Sequence, residues 1–160
     1  MAKEILAKEL MARIQELLEQ APTKPTLVYF DIIGFCWPIP CLLHMKNVDY
    51  ELIQIPIFQW AYCDEHVKQA LKACFRNGHV QLYVDSEVKL NQSNLIIAYL
   101  GENYDLIGGN TKKKYDVMDA LVHAYDAPFH FSGLFQANFK MGVSCEVVTA
   151  RLEAFLGNSV

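Results

Sequence analysis

The stretch TLVYFDIIGFCWPIPCLLHM, from Thr26 to Met45, decides the fold. Its first five residues, Thr26–Phe30, form an unbroken β-rich, apolar run, the pattern of a buried strand. Gly34 breaks that run. Pro38 suits the first turn of a helix, where its missing N–H would be an orphan in any case. Pro40 is tolerated because it still lies in that first turn. Leu42, Leu43 and Met45 carry the helix onward.

Working outward, Tyr50–Ile55 reads as a second strand and Cys63–Phe75 as a helix. Val80–Val84 and Glu87–Leu90 read as two short strands around a turn at Asp85-Ser86. Ser93 opens a helix holding Leu95, Ile96, Ile97, Tyr99 and Leu100. A strand, crossover helix and strand, then a hairpin and a closing helix, make a thioredoxin-like α/β module of the βαβ-ββα kind. Upstream, residues 2–20 predict a helix. Leu6, Leu10, Ile14 and Leu17 form one stripe, widened by Ile5, Met11 and Leu18. Pro22 and Pro25 bound the linker that follows. Such a stripe must cover its own domain or a partner; packing within the chain is the ordinary outcome.

Downstream the chain reads as a short all-α region. Thr111 is placed to cap a helix carrying Val117, Met118, Leu121, Val122 and Tyr125, interrupted by Pro128 and Gly133. Ser144 is placed to cap a last helix with Val147, Val148, Leu152, Phe155 and Leu156, stopped by Gly157. The expected organisation is a helical extension and linker over 1–25, the α/β module over 26–104 and helices over 105–160.

The chain has 160 residues, 52% of them hydrophobic and 20% charged, with a net charge of −4. That is core material for one ordinary domain or two small ones. The acidic balance argues against a dedicated nucleic-acid binder. No apolar run reaches the ~20 residues of a membrane helix. Five cysteines, with no CxxC pair, fit neither a disulfide scaffold nor a zinc site. The first residues, mixing Glu4, Glu9, Glu16 and Glu19 with apolar positions, read as neither a signal peptide nor a mitochondrial presequence, so a cytoplasmic location is expected.

Several motifs, in order, carry a family resemblance. Tyr29-Phe30-Asp31-Ile32-Ile33-Gly34 followed by Pro38-Ile39 resembles the opening of the glutathione S-transferases, the sigma and mu kinds especially. Asp49-Tyr50-Glu51 resembles their second-strand entry. Gln92-Ser93-Asn94-Leu95-Ile96-Ile97-Ala98-Tyr99-Leu100 resembles their Gln-Ser-Asn helix start, and Tyr104-Asp105-Leu106-Ile107-Gly108 their linker into a helical domain. The resemblance covers residues 26–126. It implies glutathione as ligand and substrate, no metal, and a homodimer.

It also implies site residues. Tyr29 matches the tyrosine whose hydroxyl stabilises the glutathione thiolate; a donated hydrogen bond favours thiolate over thiol, and the thiolate is the nucleophile. Gln92 and Ser93 match the clamp on the γ-glutamyl carboxylate, at a helix N-terminus suited to an anion. Trp60 and Lys72 match the groups at the glycine end, Val80 the backbone that pairs with the cysteinyl part, and Asp126 the acid that reaches the partner's ligand. An ordinary strand aromatic at Tyr29, a simple N-cap at Ser93 and a solvated lysine at Lys72 would look the same in sequence.

The departures are specific. The family has a cis-proline where this chain has Gln81; a non-proline cis bond costs ~3 kcal/mol, so a trans bond and a different ligand-facing loop are expected. Ile33, Phe35 and Pro40 stand in place of arginines. The chain closes at Val160, before a helical domain of the family's length. Two further readings stay open. Cys36, just before the first helix, could serve thiol–disulfide exchange, because a helix N-terminus lowers a thiol's pKa. Alternatively, open apolar faces could mark a non-catalytic, transferase-like subunit of a larger assembly.

Overall fold

A computed structural model of the chain describes residues 2–32, 34–57, 60 and 64–124. Two compact units divide the chain, residues 1–114 and residues 115–160. In the first, α1 (Ala2–Glu19) precedes β1 (Thr26–Phe30), α2 (Pro38–Met45), β2 (Glu51–Ile55) and α3 (Glu65–Ala73). A 3-10 turn at Arg76–Gly78 leads to β3 (Leu82–Val84), β4 (Lys89–Leu90) and α4 (Ser93–Asn103). A further helical stretch, α5, runs over 111–124.

The four strands form one sheet in the order β2-β1-β3-β4. β1 runs parallel to β2, Thr26 opposite Glu51 and Phe30 opposite Ile55. It runs antiparallel to β3, Val28 opposite Leu82, and β3 antiparallel to β4, Tyr83 opposite Leu90. This is the thioredoxin-like α/β arrangement that the order of elements predicts.

Both faces of the sheet are covered, which explains why TLVYF is apolar throughout rather than alternating. Leu27 and Tyr29 face α2 and α4, in a core with Ile39, Leu43, Tyr83, Ile96 and Leu100. Val28 faces the other way, into a core with Ile55, Leu71, Phe75, Leu82 and Val84. The stripe on α1 joins this second core: Ile14 and Leu17 are buried in it, with Leu10, Met11 and Leu18 packed alongside. The extension therefore covers its own sheet, next to α3. Lys89 Nζ donates to the carbonyl of Leu18, a cation at the negative end of the helix.

Several boundaries differ from the sequence expectation. Val80 and Gln81 lie outside β3, because the Gln81 N–H turns back to the carbonyl of His79 at 2.8 Å. Glu87 and Val88 lie outside β4, because both backbone N–H groups donate to Asp85 Oδ1 at 2.8 Å. β2 starts one residue later, at Glu51, and α3 spans Glu65–Ala73 rather than reaching Phe75. Asn110, not Thr111, caps α5: its Oδ1 accepts the N–H of Lys113 at 3.0 Å. The expected helix from Ser144 lies outside the described residues.

Candidate functional site

The end of β1 and the loop after it build the first part of the site. Asp31 fixes the loop to the end of β2: its N–H donates to the carbonyl of Ile55 at 3.1 Å, and its Oδ1 accepts the N–H of Ile57 at 2.7 Å. Gly34 then turns the chain, its carbonyl accepting from Trp37 N–H at 2.9 Å, into Pro38 at the start of α2. Tyr29 points into the core beneath this loop and is 8% exposed. Its hydroxyl lies 2.7 Å from where a Cβ at position 34 would sit, so the tyrosine tip rests against the glycine backbone.

Cys36 lies in the same core as Tyr29, 1% exposed. Burial pushes its thiol up to about 12, although a hydrogen bond with the Ser93 side chain works in the opposite direction. A cavity of about 10 Å³ touches both Tyr29 and Cys36. That is room for about one water molecule.

The start of α4 forms the second part. Gln92 precedes the helix with φ +79°, a conformation unusual for a residue with a side chain and frequent at functional turns. Ser93 is the first helical residue rather than the cap, and it is buried. Its backbone N–H donates to Gln81 Oε1 at 2.8 Å. Asn94 Oδ1 accepts the N–H of Leu95 at 2.9 Å. No cis peptide bond occurs among the described residues, so the bond before Gln81 is trans as expected.

Trp60 and Lys72 meet each other: Lys72 Nζ stands 5.9 Å from the centre of the Trp60 ring. Trp60 also packs on Phe30, ring centres 5.6 Å apart, and Phe30 on Tyr29 at 5.9 Å. An aromatic chain thus runs from the candidate tyrosine to the candidate tryptophan. The Val80 side chain is buried among the residues that cover the α1 side of the sheet. Asp126 lies outside the described residues. Sequence reasoning singled out Ser93 but missed Gln81 as its partner; the loss of proline at that position was the available signal.

Comparison with known proteins finds similarity to one group of enzymes. A glutathione S-transferase of Tyrophagus putrescentiae is 34% identical over 99 residues, which cover 59% of this chain and 44% of that protein. A glutathione S-transferase of Dermatophagoides pteronyssinus is 28% identical over 121 residues, 66% of this chain and 54% of that protein. The chain is similar to glutathione S-transferases, in sequence over part of its length and in fold. It spans about half the length of these two curated relatives. Among solved structures, the Pi-class glutathione S-transferase of Onchocerca volvulus shares the transferase fold with a TM-score of 0.59 at 20% identity, over 69% of this chain and 49% of that one. The prostaglandin synthase D of Nilaparvata lugens does so with a TM-score of 0.59 at 24% identity, over 85% and 61%. No protein-family model matches the chain.

Among the described residues of this transferase-like chain, no group of three or more His, Cys, Asp or Glu side chains is placed to hold a metal ion. No described helix is long and apolar enough to cross a membrane.

Proposed function

We infer that this chain is a glutathione-binding, transferase-like protein in which Tyr29 stabilises the thiolate of glutathione for attack on an electrophile. The reading rests on one observation above the others: the Tyr29 hydroxyl lodged against Gly34, at the end of β1 and beside the start of α2. A hydroxyl held there donates to sulfur and favours the ionised form. The thiolate then forms a C–S bond to the electrophilic carbon, whose leaving group departs with the electron pair. Trp60 and Lys72 would meet the glycine end, the ammonium facing the glycyl carboxylate. Ser93 and Gln92 would meet the γ-glutamyl end, Val80 the cysteinyl backbone, and Asp126 the ligand of a partner in a homodimer. In this reading residues 26–104 are the ligand module, 1–25 an extension packed on it, and 105–160 a helical region; the setting is cytoplasmic.

The test is conjugation of glutathione to a chloronitrobenzene. Tyr29→Phe should lower the rate and raise the pKa of the bound thiol, while Cys36→Ser changes little. Ser93→Ala should weaken glutathione by roughly 1–3 kcal/mol, the cost of a charge-assisted hydrogen bond. No heat with millimolar glutathione, and no change in melting temperature, would refute the reading.

A second reading, a non-catalytic subunit of a larger assembly, draws support from the engaged N–H of Ser93. Indifference of the rate to both substitutions would favour it. Disulfide exchange at Cys36 draws less support, since exchange needs a thiolate and burial holds this thiol protonated.

A further inference from the structure

We propose that the Gln81 carboxamide is a built-in occupant of the carboxylate position at the start of α4, and that it decides which ligands reach Ser93. The proposal rests on the glutathione reading for the identity of the natural ligand, and on geometry alone for the occupant.

The first turn of a helix presents N–H groups with no partner inside the helix, and an anion is the usual external acceptor. In α4 two of these groups, on Ser93 and Leu95, are already engaged from within the chain. Ser93 N–H donates to Gln81 Oε1 at 2.8 Å and Leu95 N–H to Asn94 Oδ1 at 2.9 Å. The Ser93 side chain is hydrogen-bonded to Cys36. The residue preceding the helix, Gln92, makes no side-chain cap. The capping oxygen therefore comes from twelve residues upstream.

Gln81 is held there at its backbone. Its N–H donates to His79 O at 2.8 Å, and its carbonyl accepts from Asn91 Nδ2. Its side chain is only half-buried, so the carboxamide has room to leave while the main chain stays. Proline, the residue of the resembling family at this place, has no side chain able to make the contact.

A carboxylate arriving at Ser93 thus competes with an oxygen tethered beside it. The tether gives that oxygen a high effective concentration. A full negative charge is preferred over a neutral amide at a helix N-terminus, so displacement is feasible. It favours ligands that add contacts beyond the carboxylate. A peptide-sized γ-glutamyl ligand qualifies; small free anions do not. Affinity falls by the fraction of time the position is open, so an oxygen present nine-tenths of the time weakens binding about tenfold.

The experiment follows the Ser93 amide by NMR in the full chain, titrated separately with sodium sulfate and with glutathione. It compares the unsubstituted protein with Gln81→Met, which keeps the length without the acceptor, with Gln81→Ala, and with Gln81→Glu. Sulfate should move the Ser93 amide saturably in the Met and Ala variants and not in the unsubstituted chain. Glutathione should bind those two variants about tenfold more tightly, and Gln81→Glu more weakly than the unsubstituted chain. If sulfate reaches Ser93 in the variants while glutathione binds none of them, the occupant stands and the glutathione reading falls. If glutathione binds every form equally, with the same Ser93 response, the occupant is overturned and the glutathione reading stands. A Ser93 amide silent to sulfate in all variants also overturns it.

Discussion

The Tyr29 hydroxyl occupies the space that a side chain at Gly34 would need, 2.7 Å from the position of its Cβ. Contact that close is not sustained by real Cβ atoms, so any substitution at 34 must move the ring or the loop. Because Tyr29 is packed among buried residues, its tip has little freedom to yield.

Gly34→Ala should therefore destabilise the protein by about 1–3 kcal/mol, the usual cost of overpacking. The same change in the Tyr29→Phe background should cost less, since the clashing atom is gone. Urea denaturation of the four proteins measures this coupling. Equal costs in both backgrounds would show that the loop, not the hydroxyl, absorbs the added methyl.

The α1 stripe gives a second outcome. Ile14 is completely buried, so Ile14→Ala should cost about 2–5 kcal/mol. Lys8→Ala, on the exposed side of the same helix, should change stability by no more than about 0.5 kcal/mol. Similar denaturation midpoints for both variants would mean that α1 is not part of the core.

Cys36 and Cys41 should differ in reactivity. Cys41 is exposed and Cys36 buried, with its thiol pushed up to about 12 by burial. Iodoacetamide at pH 8 should label Cys41 in the native protein and spare Cys36 until denaturant is added. The folded chain keeps the Cys36 proton where the unfolded chain loses it. That contribution to stability is present below the ordinary thiol pKa of 9.0 and is lost as pH rises from there through about 12. Cys36→Ala should flatten the alkaline limb of the stability profile.

Asp85 should matter at the opposite end of the pH scale. Burial alone would raise its carboxyl, but the N–H groups of Glu87 and Val88 and the hydroxyls of Tyr99 and Tyr83 outweigh it and hold it below the usual value. Those hydroxyls donate to Oδ2 at 2.8 and 3.1 Å. The stabilisation is present above the unfolded carboxyl pKa and is lost as pH falls through the lower, folded one. Asp85→Asn should cost about 1–3 kcal/mol at pH 7 and reduce the loss of stability on acidification. An unchanged acid limb would refute this role.

Much of the fold was legible because its signals are local. An unbroken apolar run at Thr26–Phe30, prolines in the first turn of α2 and a four-residue stripe on α1 each declare an element within a few positions. Groups meeting across the chain were harder to read. The Asp85-Ser86 turn was visible, but not that Asp85 gathers donors from β3, from its own turn and from α4. The site divides in the same way. Trp60 and Lys72 were each named for a ligand's glycine end, but not that the Lys72 ammonium would lie over the Trp60 ring. Ser93 was named, yet its partner depends on the turn at His79–Gln81, whose backbone bond no residue type announces. The sequence showed that α1 had a face to hide, not which surface would hide it.

The place where α1 docks also bears on the birth of the chain. This helix leaves the ribosome before the surface that receives it. Val28, Ile55, Leu82 and Val84 follow in turn, and the lysine that closes its last turn lies 71 residues beyond Leu18. At ~5–20 residues per second, translation of that span takes roughly 4–14 s. Until the covering residues, the last of them Val84, have emerged, the stripe of a nascent α1 lacks its full cover and is open to chaperones that bind apolar segments. Slowing translation ahead of residue 89 lengthens the exposure. Placing the α1 segment after residue 89 in the chain order removes it.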